Sequence, residues 1–159
     1  MRSYAYRPDL VANNAAVLDY ARAGGNLIVL YHKTFDWKPA YAPLPFNIAN
    51  NRVTREDAAI KLLVPEHPFF TAPNKIAASD WDGWIQERGL YFAGDWPKDF
   101  TPLMDMQDPG EDIAPGALIT APCGQGHYTY CALALYRQLR EMHPGALRLF
   151  ANLLAASRG

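Results

Sequence analysis

A chain of 159 residues, half of them hydrophobic, is long enough to bury a real core in one domain, 1–159, without help from disulfides. Fifteen Lys and Arg against 16 Asp and Glu, with no basic run, leave no electrostatic footprint for a nucleic-acid or anionic-membrane partner. No apolar stretch approaches a membrane span, the start lacks a signal-peptide core, and Cys123 and Cys131 form no C-x-x-C metal pair. A cytoplasmic domain without metal or cofactor is the expectation.

Pro8 suits a first helical position, and Asp9 suits the positive end of the helix dipole. Val11, Ala15 and Leu18 recur at helical spacing until Gly24 and Gly25 stop the helix. "NLIVLY" follows at once, a continuous apolar run that fits a strand buried on both faces of a parallel sheet. Helix, Gly-Gly and strand make half of a βαβ unit, and the strand expected before the helix is missing.

From Thr34 to Asn51 the chain is loop-like, with Pro39, Pro43 and Pro45 among aromatics. "AAIKLLVP" reads as a strand and "EHPFFTAPNKI" as a turn-rich connection. A short helix is predicted around Asp80–Arg88, then strands at "GLYFA" and "TPLMDM". "DPGEDIAPG" is turn chemistry with Glu111 in solvent, and "ALITAP" and "HYTYCAL" flank "CGQG" as a hairpin. Pro144 opens a last helix with Leu147, Phe150, Ala151 and Leu154 at i, i+3, i+4, i+7. The pattern is α/β with an antiparallel C-terminal hairpin.

"RPDLVANNAAVLDYARAGGNLIVLY" resembles the class I glutamine-amidotransferase-like fold, in which a helix ending in Gly-Gly leads to the strand that carries the nucleophile. "NRVTREDAAIKLLVPEHPFFTAPNKIAASDWDGWIQERGLYF", then "DPGE", then "GHYTYCALALYRQL" and "PGALRLFANLLA" resemble a domain C-terminal to the catalytic module of bacterial LmbE-like (PIG-L) deacetylases. The resemblance runs from about Tyr6 to Ala155. It implies a flavodoxin-like, mostly parallel sheet with flanking helices, its N-terminal strands missing. Such a sheet exposes an edge and an apolar face, to be covered by another part of a longer protein, a deacetylase domain or a second copy.

The family's motifs are absent. Active amidotransferases end this strand in G-x-C-x-G, a strained elbow that lifts a thiolate to a helix N-terminus. Here the segment reads "VLYHKTF", with Tyr31 and His32 at the elbow, and "CALAL" lacks the partner His and Glu. LmbE-like enzymes hold zinc through His-Pro-Asp-Asp, whereas "EHPFF" has no carboxylate after His67-Pro68, so His67 reads as a turn residue.

Three clusters remain. "SDWDGWIQERGLYF" gathers Asp80, Trp81, Asp82, Trp84, Glu87 and Arg88. Its structural reading has Ser79 or Asp80 capping a helical turn, both tryptophans facing the core, and a Glu87–Arg88 ion pair. Its functional readings are a D-x-D metal–sugar-nucleotide motif, acid/base chemistry, and tryptophan faces stacking on carbohydrate. Tyr31, His32 and Trp37 lie at the carboxyl end of a predicted parallel strand, where open α/β sheets place ligands. His32 also reads as a satisfied loop histidine. Cys123 and His127, neighbours across the hairpin, could form a thiolate–imidazole pair or be structural. Arg137 and Arg148 are expected to pin helices to nearby carbonyls or to Glu87. The function expected is a non-catalytic accessory or interaction domain of an LmbE-like deacetylase, with carbohydrate as a further partner. The alternative is a small hydrolase using Cys123 and His127 or one of the carboxylates.

Overall fold

A computed structural model describes residues 4–156. Pro8 does open a helix, but α1 (Pro8–Ala12) breaks before α2 (Asn14–Arg22). The break is Asn13, whose backbone N–H and side-chain amide both turn back onto the Asp9 carbonyl. A short polar side chain competing for a helical acceptor divides the one predicted helix into two. Gly24, at φ +108°, then turns the chain into β1 (Asn26–Leu30).

The rest of the chain adds many short strands. β2 (Asn47–Ile48), β3 (Arg52–Val53) and β4 (Ile60–Leu62) precede the single turn of α3 (Pro68–Thr71). β5 (Gly89–Leu90), β6 (Ala93–Asp95), β7 (Thr101–Pro102), β8 (Met104–Met106) and β9 (Ala114–Pro115) follow. The predicted hairpin is β10 (Leu118–Cys123) and β11 (Gly126–Cys131), closed by Gly124 and Gln125. α4 (Leu135–Arg140) and α5 (Pro144–Ala155) end the domain.

The main sheet has the order β1-β11-β10-β7, and a second sheet has the order β4-β8-β9. β2–β6 and β3–β5 are separate antiparallel ladders. Among the described residues β1–β11 is the single parallel pair, running in register from Asn26↔His127 to Leu30↔Cys131. The architecture is mixed α/β, and its strand pairing is mostly antiparallel rather than mostly parallel. β1 alternates half-buried and buried residues instead of burying both faces, as suits a strand at the end of its sheet.

Two predicted strands are divided. "GLYFA" is interrupted at Tyr91, which sits at φ +57° between β5 and β6. "TPLMDM" is interrupted at Leu103, whose N–H donates to Leu118 O while its carbonyl accepts from Leu63 N. That one fully buried residue passes the chain from the main sheet to the second sheet.

The last helix is present, but its inward face is not the predicted stripe. Gly145, Ala146, Leu149, Asn152 and Leu153 are buried, whereas Leu154 is 53% exposed. Glycine and asparagine won those inner positions for specific reasons. Gly145 lets α5 touch the Asp80 carbonyl, and Asn152 hydrogen-bonds the carbonyls of Phe69 and Asn74 and the backbone N–H of Asn74. The hairpin strands and the chain leaving them form the core centre, with Tyr128, Tyr130, Leu133 and Leu135 fully buried.

Candidate functional site

At the carboxyl end of β1 the chain places Tyr31, His32 and Trp37 together, all buried. His32 is 2% exposed. Its Nε2 accepts the Tyr4 backbone N–H at 2.8 Å, and its Nδ1 lies 2.8 Å from Leu30 O. An acceptor at Nε2 and a carbonyl at Nδ1 assign the ring proton to Nδ1. The His32 N–H donates to Tyr130 Oη, which in turn donates to Tyr91 O at 2.7 Å. Trp37 Nε1 donates to Phe46 O, and Tyr31 Oη donates to Tyr136 Oη. These are core aromatics with their polar atoms satisfied, and none presents an open ring to a ligand. These contacts fit a satisfied loop histidine better than a ligand-contact role for the trio.

The segment from Ser79 to Phe92 makes one 3₁₀ turn, Ala78–Trp81, instead of a helix reaching Arg88. Gln86 at φ +65° is incompatible with a continuing helix. Asp80 Oδ2 accepts the Ala77 N–H at 2.8 Å, capping that turn, and Oδ1 lies 3.2 Å from Arg148 Nε. Trp81 and Trp84 are buried with ring centroids 5.6 Å apart, and Trp84 Nε1 donates to Glu87 O at 2.7 Å. A sugar-stacking platform needs an exposed ring face, and of the two only Trp81 borders open space, where it lines the cleft beside Arg88.

The expected Glu87–Arg88 pair does not form. Glu87 Oε1 lies 2.9 Å from Arg137 Nη2, close enough for an ion pair but poorly aligned as a hydrogen bond, which leaves Arg137 Nε unpartnered. Burial raises the Glu87 carboxyl above its usual range, and the Arg137 and Arg52 charges pull the other way. Arg88 turns inward and is 4% exposed. Its Nε donates to Ala58 O at 3.1 Å and its Nη1 to Trp81 O at 2.7 Å, with the guanidinium 5.7 Å from the Trp84 ring centre. Burial lowers its pKa, opposed by the charges of Asp57, Asp82 and Glu56. Arg88 lines a cleft of about 410 Å³ with Ala58, Ile60, Leu62, Ile76 and Trp81. A second cleft of about 410 Å³ shares Asp57, Ala58, Ala59 and Ile60 with it and is lined further by Asp105, Met106 and Ile113.

The hairpin does not pair Cys123 with His127. The register sets Cys123 opposite Gly126 and His127 opposite Pro122. Directly opposed residues share a face and successive residues alternate, so the thiol and the imidazole point to opposite faces. Cys123 is buried and His127 exposed. Burial raises the Cys123 thiol despite the nearby Arg22, and pushes Cys131 up to about 12. Both cysteines are free. His67 is the turn residue expected of it, its Nδ1 accepting the Phe69 N–H at the start of α3. Burial and the neighbouring His127 lower its pKa, with Glu66 opposing.

Arg137 and Arg148 pin helices as expected, the latter also donating to Lys75 O. Sequence reasoning missed Asp108, which it placed only in a turn. The carboxylate is buried and accepts from Thr54 N, Thr54 Oγ1 and Arg55 N at 2.8, 2.7 and 2.9 Å. Nothing in "DPGE" signals partners more than fifty residues earlier. Among the described residues no group of three or more His, Cys, Asp or Glu could hold a metal ion, and no helix is long and apolar enough to cross a membrane.

No protein-family model matches the chain, and no curated protein matches it. Its fold is similar to that of "Cytoplasmic Protein STM3548 from Salmonella typhimurium", with a TM-score of 0.50 and 15% sequence identity. The similarity covers 89% of this chain but 58% of that one, so the chain matches little more than half the length of its structural neighbour.

Proposed function

We propose that the chain is a non-catalytic interaction domain with an amidotransferase-like fold, accessory to an LmbE-like deacetylase. The carrying observation is His32. At the position where that fold would present a nucleophile, the chain has a buried imidazole with both nitrogens engaged by backbone groups. A group whose proton and lone pair are both committed to holding the core is poorly suited to proton transfer. Cys123 and His127 on opposite faces of the hairpin weaken the hydrolase alternative in the same way. The finer fold belongs to the proposal too. α2, Gly24-Gly25 and β1, with β1 parallel to β11, is the arrangement a flavodoxin-like unit would have. β1 ends its sheet, which suits pairing with a deacetylase domain or a second copy. The neighbour's description as a cytoplasmic protein supports a cytoplasmic location.

Ammonia release from glutamine and hydrolysis of activated esters test this reading. The expected result is no turnover above buffer. Turnover that disappears in Cys123→Ala would overturn it.

A further inference from the structure

Arg88 and β4 meet in one cleft, and each has unmet capacity there. The second sheet has the order β4-β8-β9, so among the described residues one edge of β4 has no strand beside it. Leu62 is opposite Met104, and the next bond runs from Leu63 N to Leu103 O at 2.9 Å. In an antiparallel ladder that makes Lys61↔Asp105 the hydrogen-bonded pair, and the N–H and C=O groups of Ile60 and Leu62 point away from β8. Ile60 and Leu62, and not Lys61, line the Arg88 cleft, whose far wall is Ile76, Ala77 and Trp81. β4 and the apolar wall therefore both border it.

The cleft also carries a buried guanidinium that no carboxylate contacts directly, although the charges of Asp57, Asp82 and Glu56 act on it. Arg88 Nε and Nη1 serve the carbonyls of Ala58 and Trp81, and Nη2 makes no hydrogen bond or ion pair among the described residues. Of the acids on the cleft, Asp57 is held bidentate by Arg55 and Asp82 is exposed. A desolvated guanidinium is costly unless a carboxylate or phosphate completes its fork. An extended backbone beside it would satisfy the strand edge.

We infer that this cleft takes the carboxyl-terminal end of an extended peptide from a partner, its backbone pairing with the outward groups of Ile60 and Leu62 and its terminal carboxylate meeting Arg88 Nη2. A small apolar residue next to the terminus fits the wall of Ile76 and Trp81. About three peptide residues span the three residues of β4 at roughly 3.3 Å each. The inference stands on the cleft and is independent of the amidotransferase resemblance.

The test is fluorescence anisotropy with a fluorescein-labelled Gly-Ser-Val-Ser-Val peptide, as the free acid and as the C-terminal amide. The expected result is saturable binding of the acid, weakened at least about tenfold by amidation and similarly by Arg88→Lys. N-methylation of the peptide's pairing amides should weaken it further. The acid–amide comparison uses the unaltered chain, so it decides even if Arg88→Lys fails to fold. Equal binding of acid and amide, or no binding of either at millimolar concentration, would overturn the inference. N-acetylvaline competing as tightly as the pentapeptide would overturn the strand pairing.

Discussion

Gly145 of α5 lies directly against the backbone carbonyl of Asp80, so closely that a Cβ at 145 would overlap the oxygen. Backbone cannot step aside as a flexible side-chain tip can. Gly145→Ala is therefore predicted to destabilise the fold by about 2–4 kcal/mol, because α5 must shift away from the 78–81 turn. Gly110 is a control, since a Cβ there meets nothing within 4 Å although φ is +83°. Gly110→Ala should cost about 1 kcal/mol through backbone strain alone. Urea unfolding midpoints check both, and equal losses would contradict the packing account.

Asp108 ties the 108 turn to Thr54 and Arg55 through three hydrogen bonds. Burial pushes its carboxyl up, but the bonds from Thr54 and Arg55 outweigh that and hold it below the usual range. A depressed folded pKa contributes stability above the unfolded value and loses it as pH falls through the folded one. Asp108→Asn should lower stability by about 1–3 kcal/mol at neutral pH, and the gap to the unaltered chain should narrow in acid. A gap independent of pH would show that the charge plays no part.

Glu87 has the opposite sign. Burial raises its folded pKa over the opposing charges of Arg137 and Arg52. Its contribution is fully present below the unfolded carboxylate value and is lost as pH rises through the folded one. Stability measured from about pH 4 to pH 7 should therefore fall more steeply in the unaltered chain than in Glu87→Gln. Parallel curves would mean that Arg137 offsets the desolvation completely.

Neither thiol should behave as a nucleophile. Burial raises both Cys123 and Cys131, the latter to about 12. Iodoacetamide at neutral pH should label the native chain far more slowly than the guanidine-unfolded chain. Labelling of native Cys123 faster than free glutathione would restore the hydrolase reading.

The hairpin was legible because its signals are local. Glycines at a tight turn between two strand-like runs leave little choice of partner. The Asp80 cap was legible for a similar reason, as side-chain chemistry within one turn, whereas the Arg148 contact with Asp80 was not, since its partner lies far away in the chain. The sheet's direction was not. "NLIVLY" has the composition of a buried parallel strand, yet composition does not name neighbours, and the strands placed elsewhere pair antiparallel. Tyr91 at φ +57° is a non-glycine residue in a region that glycine usually occupies, so "GLYFA" gave no warning of its break. Glu87 and Arg88 are sequence neighbours on a non-helical stretch, and their side chains diverge. One reaches Arg137 on α4, and the other turns into the cleft beside β4. The last helix misled because its inner face uses Gly145 and Asn152, which an apolar stripe leaves out.

Association is the core of the account, and molar mass by light scattering tests it most directly. The chain would be measured alone and mixed with an LmbE-like deacetylase domain at micromolar concentration. The account predicts a dimer alone or a stoichiometric complex in the mixture, with β1 at the interface. A monomer that stays monomeric in both would contradict it.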